Sequence, residues 1–503
     1  MSSTISPRVL SGTPLSPQRA DQTTSPDSRR WMSLVWIALA QLMVALDATV
    51  MSIALPSAQN ALHFSDVDRQ WVITAYTLSF GSLLLLGGRL ADSLGRKRAF
   101  LLGLVGFAAA SALGGSAVNL EMLIAARALQ GAFAALLTPT ALSLLAVTFP
   151  EPRERATAFA VYGGIAGSGA AVGLLLGGAL TQYLAWRWCL YVNLPVAVAA
   201  AAGGWTVLTD AQSHGRHRFD LPGVVLVTAG LVALVYACTE AASRGWSSRA
   251  VVGFFLASGV LLIGFVGREA SAANPLLPLR ILLDRNRGGA YLSAGLTMAG
   301  MFGAFLFLTY YLQVVLRYSP LQAGLAFLPM TLASQVGSWT IVRRLMPRLP
   351  ARFLVAPGVL VAAAGMALLT QLRVDSGYAT QILPAELLLG LGIVCALAPA
   401  FSTGAMGVDP GDAGIASAMV PTAQQVGSSI GTALLNTLAA NATGAYLASQ
   451  PHGLVMVAQG LVHGYSVATA WGTAVLVGGA ILALVMITAG RPAANSATQQ
   501  GAR

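Results

Sequence analysis

Charge is what this sequence has least of. Only 9% of its 503 residues are Asp, Glu, Lys or Arg, against about a quarter in a soluble domain, which excludes a large solvated surface. Lysine is nearly missing: of 29 basic residues all but Lys97 are arginine. A phosphate-cradling Gly-x4-Gly-Lys loop needs a lysine in a glycine-rich turn, and Lys97 lacks that setting, so direct use of ATP is excluded. Cysteine is scarce too. Cys189, Cys238 and Cys395 all fall within apolar stretches, an odd number that gives no disulfide framework and reads as small apolar filler. His63, His214, His217, His452 and His463 show no metal-ligand spacing beyond the His214/His217 pair in a polar loop, so no metal site is expected. The net charge of +11 invites a nucleic-acid reading. The basic residues lie in short loops between apolar runs, however, and topology accounts for them without one.

Long apolar runs are what the chain has instead. Hydrophobic residues make up 56% of it, gathered in fourteen runs near 32–56, 69–88, 98–117, 121–148, 156–181, 188–208, 221–240, 250–267, 289–312, 320–342, 353–372, 380–401, 414–440 and 464–489. A run of about 20 residues crosses a hydrocarbon core of about 30 Å. Backbone in that core must bond to itself, and no run alternates as a barrel strand does, so the expected fold class is an all-α polytopic membrane protein. Residues 1–30 are rich in Ser, Thr and Pro and have no apolar core. They read as a disordered tail and not as a signal peptide, and 491–503 reads as a second tail. Orientation follows from the basic residues. Arg89, Arg96, Lys97, Arg98, Arg343, Arg344, Arg348 and Arg352 crowd the loops on one side, while the other side holds Arg69, Arg187, Arg244, Arg249, Arg317 and Arg373. The positive-inside rule then puts both termini in the cytoplasm of a bacterial inner membrane.

A weak internal repeat appears eight spans apart. The basic turn between the second and third spans is matched by that between the tenth and eleventh, and the glycine-rich fifth span by the thirteenth. This suggests two six-helix halves, 31–208 and 269–490, with two inserted helices in 209–268. Transporters are commonly built so, with the substrate site where the halves meet.

Charge inside a bilayer costs at least about 2.5–3.5 kcal/mol at a helix centre, which makes each such residue a functional candidate. Asp47 lies 15 residues into the first span and Arg127 six residues into the oppositely directed fourth. At about 1.5 Å per residue the two reach similar depth, so they could pair. A buried carboxylate beside a cation is either a proton carrier or a structural ion pair. Gln130, one turn from Arg127, is a supporting hydrogen bonder, and Tyr76 is set beside it as a support or cavity residue. Glu386, six residues into the twelfth span, is a second protonation candidate unless it reaches the interface. Between the second and third spans, Gly88-Arg-Leu-Ala-Asp92-Ser-Leu-Gly95-Arg96-Lys97-Arg98 reads as a sharp turn that Gly88 and Gly95 permit and the cations anchor. In the fifth span Gly169, Gly173 and Gly177 recur every fourth residue, followed by Gly178. That spacing allows two helices close contact, either static or sliding. Gly427-Ser-Ser429-Ile-Gly431 spells a hydrolase-like Gly-x-Ser-x-Gly, but inside an apolar helix it lacks the strand-turn-helix setting and reads as packing. No enzyme is expected.

The chain resembles the major facilitator superfamily, and within it the fourteen-span drug:proton antiporter family. The 88–98 turn matches the superfamily's loop signature. Leu46-Asp47-Ala-Thr49 through Ala54-Leu55-Pro56 is similar to the first-helix motif, and Arg127-Ala-Leu-Gln130-Gly131 to the fourth-helix motif, whose arginine assists proton coupling. Trp186-Arg187-Trp188 with Asn193-Leu-Pro195 is similar to the sixth-helix signature, and Phe219-Asp220-Leu-Pro222-Gly223 to the entry of the seventh span. In one place the pattern differs: Leu174 follows Gly173 where the fifth-helix motif has proline, and antiport versus symport stays open on this ground. The resemblance implies a monomeric exporter of hydrophobic or cationic drugs or antibiotics that takes protons in exchange and needs no cofactor. A lipid, metabolite or siderophore exporter, or a proton symporter, is the alternative on the same fold.

Overall fold

The computed structural model describes residues 27–488 except 67, 150, 209–219, 273–274, 405, 407, 409–412 and 450–453. Of the expected tail at 1–30, residues 1–26 lie outside the described residues, whereas 27–30 are helical and open the first long helix instead of belonging to a tail. The expected tail at 491–503 and the His214/His217 pair also lie outside the described residues. Among those described there is no strand. The first six long helices are α1 (Asp27–Leu62), α2 (Gln70–Leu94), α3 (Arg96–Gly115), α4 (Leu120–Thr148), α5 (Pro152–Tyr183) and α6 (Asn193–Val207). Then come α7 (Leu221–Arg244) and α8 (Arg249–Ser271). The last six are α9 (Arg285–Tyr310), α10 (Leu328–Gly337), α11 (Arg352–Leu369), α12 (Leu383–Gly404), α13 (Ala413–Ala448) and α14 (Leu454–Met486). Each of the fourteen expected spans falls on one of them. Among the described residues, twelve helical segments are long and apolar enough to cross a membrane, and α5 adds a shorter apolar stretch, Ala171–Tyr183, outside those twelve.

The last six helices are more broken than the first. α9 runs on through a wide π-type turn at Tyr311–Val315, α10 into another at Ser338–Val342, and α12 is entered through a third at Tyr378–Ile382. α10 is preceded by a separate turn of helix, Pro320–Ala326. The break falls where Pro329 has no N–H to continue the ladder. Wide turns of this kind are uncommon and gather at functional places.

Glycine sets the packing inside each set of six. A side chain at Gly169 would meet the Ala45 Cβ at 2.7 Å, and one at Gly177 would come within 3.0 Å of the Val50 Cα. Gly173 between them sits on Leu46 and Thr49, so α5 rides directly on α1 around Asp47. Gly427 and Gly431 of α13 lie in the same way on Gly295 and Ala299 of α9. The α13–α9 contact thus repeats the α5–α1 contact, and the sequence repeat is a repeat of helix packing.

The two sets of six meet along two seams. Gly178 of α5 packs on Leu321 and Gly324 on the carbonyl of Leu174, while Gly81 of α2 packs on Gln425 of α13. α7 flanks the second seam, with Gln70 donating to Thr239 (2.9 Å) and Thr437 to the Cys238 carbonyl (2.8 Å). Asp220 caps α7 through the Gly223 N–H (3.2 Å) and pairs with Arg268 at the end of α8 (3.0 Å).

The basic turn differs from its expectation in one respect. α2 continues unbroken past Gly88 to Leu94, and the reversal is made at Gly95 alone, where φ is 88°. Gly88 lies inside the helix, with room beside it: a side chain there would touch only Pro139, at 3.6 Å.

Candidate functional site

Asp47 and Arg127 meet in the interior of the first six helices. Arg127 Nη1 stands 2.6 Å from Asp47 Oδ2, and both side chains are at most 2% exposed. α1 and α4 run in opposite directions, and the depth reckoning from their two ends explains why the pair forms. Gln130 donates to Asp47 Oδ1 (2.8 Å) and accepts from Arg127 Nη1 (2.8 Å). Its place one turn after Arg127 lets it close the triangle from the same helix face.

Further partners come from helices α2, α3 and α6. Asn193, at the start of α6, donates its amide to Asp47 Oδ1 (2.8 Å). Ser111 of α3 holds the amides of Gln130 (2.7 Å) and Asn193 (3.3 Å) in place. Arg127 Nε donates to the Val72 carbonyl of α2 (3.1 Å), and one turn on, the Tyr76 ring lies 4.4 Å from the guanidinium carbon. Gly131 makes that stacking possible, since a side chain there would strike the α2 backbone at Tyr76 and Phe80. The Tyr76 hydroxyl is buried without a hydrogen-bond partner among the described residues. The carboxylate therefore accepts from three donors, one of them cationic, in a site closed to water. Charge-assisted bonds of this kind are about twice as strong as neutral ones.

Glu386 is not part of this cluster. It is fully buried in α12, and it lies 3.2 Å from the Tyr378 hydroxyl. At the turn, Lys97 Nζ donates to the Trp205 carbonyl (2.7 Å) and ties α3 to the end of α6, while Arg89 donates to the Pro275 carbonyl (2.6 Å). Arg98 is engaged, Arg96 is half-buried, and the side chain of Asp92 lies outside the described residues.

Sequence reasoning overlooked Asn193 and Ser111 as site residues. Asn193 carried a signal, as a polar side chain opening an apolar run within the Asn193-Leu-Pro195 signature; Ser111, in an Ala/Ser stretch, carried none. In the sequence Arg69 reads as an ordinary loop cation. At the end of the molecule opposite the basic turn, Arg69 is 3% exposed, bonded to Asn436 (3.2 Å) and Asp66 (3.2 Å) and stacked 4.0 Å from the centre of the Tyr310 ring. Tyr310 in turn donates to Gln59 (2.5 Å), and Gln59 to Asp66 (2.8 Å). Residues of α1, of the α1–α2 connection, of α9 and of α13 are thus bonded to one another at that far end.

A profile of the Major Facilitator Superfamily matches residues 37–432. The puromycin resistance protein pur8 of Streptomyces alboniger is 52% identical over 472 residues, which cover 93% of this chain and 94% of that protein. The cephamycin export protein CmcT of Amycolatopsis lactamdurans is 40% identical over 84% of this chain and 87% of its own. The multidrug efflux pump LfrA of Mycolicibacterium smegmatis is 31% identical over 83% and 82% respectively. Among solved structures, an inward-facing bacterial homolog of the human lysosomal transporter Spinster superposes with a TM-score of 0.65 at 16% identity, over 92% of this chain and 98% of that one. An auto-inhibited peptide transporter of the POT family gives 0.66 at 16% identity, over 92% and 99%. These two likenesses speak to the fold alone.

Proposed function

The chain belongs to the major facilitator superfamily and stands among its drug- and antibiotic-exporting transporters; on that premise we propose that it expels an antibiotic in exchange for protons, with Asp47 as the proton-binding group. The observation that carries this reading is the arrangement around Asp47. Its charge is held by one cation, Arg127, and two neutral donors, Gln130 and Asn193. Protonating the carboxyl cancels the attraction for Arg127 and takes one acceptor position from the amides. The guanidinium is then left with the Val72 carbonyl, Gln130 and the Tyr76 ring, all contributed by α2 and α4. A proton on Asp47 thus releases α1 from α4. Because α5 rides on α1 through Gly169, Gly173 and Gly177, and α5 borders the seam with the last six helices, that release reaches the contact between the halves.

The basic end faces the cytoplasm in this reading, as the positive-inside rule requires. Proton entry from the far side is favoured by about 2.3 kcal/mol per charge per 100 mV. The relative at 52% identity makes puromycin the first compound to assay, followed by other amphiphilic antibiotics and dyes. The experiment is substrate-driven proton movement in everted vesicles carrying the wild type or Asp47→Asn. Loss of coupled movement in the variant at equal expression supports the role of Asp47. Full coupled efflux by the variant would falsify it.

A further inference from the structure

We propose that Glu386 is a second proton-binding group, held here as the neutral acid, and that its proton keeps the far end of the molecule shut. This rests on the reading of proton-linked export above and adds to it a site in the last six helices. Glu386 is fully buried, and Oε1 has no hydrogen-bond partner among the described residues. Oε2 lies 3.2 Å from the Tyr378 hydroxyl, and that hydroxyl lies 2.6 Å from the Ala326 carbonyl oxygen. A carbonyl can only accept, so the single phenolic hydrogen goes to Ala326. The hydrogen between Tyr378 and Glu386 is then supplied by the carboxyl group itself. A carboxylate in the same place would be buried without a countercharge, which protein interiors do not sustain.

Among the described residues no other titratable group faces it. The Pro320–Ala326 turn and α10, which pack on one side, carry none, and α11, which packs at Ala385–Leu389, has only Arg352 at its basic end. From α9, Tyr310 is bonded to Gln59 and the adjoining Tyr311 to the Arg373 carbonyl. On α12 itself the next such group is Cys395. Tyr318 stands beyond Tyr378, and Arg373 and Asp375 lie in the exposed turn before it.

The other end of this chain of bonds is a seam of the molecule. Ala326 closes the Pro320–Ala326 turn, in which Leu321 packs on Gly178, Gly324 on the carbonyl of Leu174, and the Leu321 N–H donates to Gln182 (3.3 Å). Leu174, the residue that replaces the family's proline, is thus one of the seam's contacts. When Glu386 gives up its proton, the O–H bond breaks and the proton passes to water on whichever side the two halves have parted. The Tyr378 hydrogen turns from Ala326 to the new carboxylate, and the turn loses its tether. Proton on, the far end is shut; proton off, it is free to part from α5. That is the sense an exchanger needs, since the proton arrives from the far side and departs at the basic side.

The test is a distance measurement between spin labels on cysteines placed at Val118 and Ala448, both exposed, one in each set of six helices. The native Cys189, Cys238 and Cys395 are buried and do not compete for the label. The background carries Asp47→Asn, so that the first site is silent. Raising the pH from mildly acid to mildly alkaline is expected to replace the short distance with a longer one. Glu386→Gln, which keeps a donor toward Tyr378 and cannot lose it, is expected to stay short throughout, and Tyr378→Phe to show the long distance even in acid. The proposal is overturned if the parent does not respond to pH, if Glu386→Gln titrates as the parent does, or if Tyr378→Phe stays short in acid. Proton-coupled efflux by the wild type in vesicles is a separate readout, so either reading can fail while the other stands.

Discussion

Arg69, from the connection between α1 and α2, lies 4.0 Å above the ring of Tyr310 and is bonded to Asn436. A cation from one half of the molecule is thus stacked and hydrogen-bonded within the other. These contacts must part for the far end to open, whereas the Asp66 pair lies on Arg69's own side. Arg69→Gln removes the stacking and the charge-assisted bond. Together these are worth about 2 kcal/mol or more, roughly thirtyfold in the balance between closed and open forms. The label pair at Val118 and Ala448 should move to longer distance at every pH. An unchanged distance would show that the latch lies elsewhere.

Removing one partner of a buried ion pair leaves an uncompensated charge, at about 3–5 kcal/mol, whereas removing both need not. Arg127→Gln is therefore expected to lower the unfolding temperature more than the double variant Asp47→Asn with Arg127→Gln. Thermal unfolding in detergent reads the order directly. A double variant less stable than Arg127→Gln would mean that Asp47 does not feel Arg127 as its principal partner.

Gly173→Val should be costly because α1 leaves no room beside it. Overpacking of a tight contact costs about 1–3 kcal/mol. The equivalent change in the second half, Gly431→Val, should cost a similar amount, since it faces Ala299 in the same way. Unequal losses would break the equivalence of the α5–α1 and α13–α9 contacts.

The turn offers a paired comparison. Gly95→Ala places a side chain at φ 88° and should cost about 1–2 kcal/mol. Gly88→Ala, in a helix with space beside it, should be neutral or stabilising by about 0.4–1 kcal/mol. Unfolding temperatures of the two variants test which glycine makes the turn.

Asp284 caps α9, accepting from the N–H groups of Asn286 (3.1 Å) and Arg287 (2.9 Å). These bonds, that of the Arg287 N–H foremost, hold its carboxyl below the usual carboxylate range. A carboxyl with a lowered folded-state pKa stabilises the fold above its unfolded value and loses that contribution as pH falls through the folded one. Asp284→Ala should cost about 1 kcal/mol at neutral pH, the usual worth of an N-cap. The difference from wild type should shrink in acid below the ordinary carboxylate range. A gap that persists there would assign the loss to something other than the cap's charge.

The helices were legible because crossing a membrane leaves a one-dimensional mark, an apolar run of fixed length bounded by cations. Asp47 and Arg127 were legible for the same reason, each being an expensive charge whose depth can be counted along its helix. Ser111 was not, because a serine among alanines is indistinguishable from filler until a neighbouring helix turns an amide toward it. The burial of Arg69 is not legible, because a loop arginine is ordinarily solvated; only the approach of α9 and α13, remote in sequence, buries it. That Gly88 lies inside the helix and Gly95 makes the turn is not legible, because glycine spacing cannot say where a helix stops. Glu386 stood between two readings that only its surroundings could separate.

The scarcity of lysine has a practical consequence. Apart from the α-amino group, an amine-directed reagent finds one target in the chain, Lys97, whose ammonium is caught on the Trp205 carbonyl between α3 and α6. A bound ammonium reacts slowly and a freed one quickly. The rate of modification therefore reports, from a native residue and without engineered probes, whether the basic end of the first six helices is holding together at that moment.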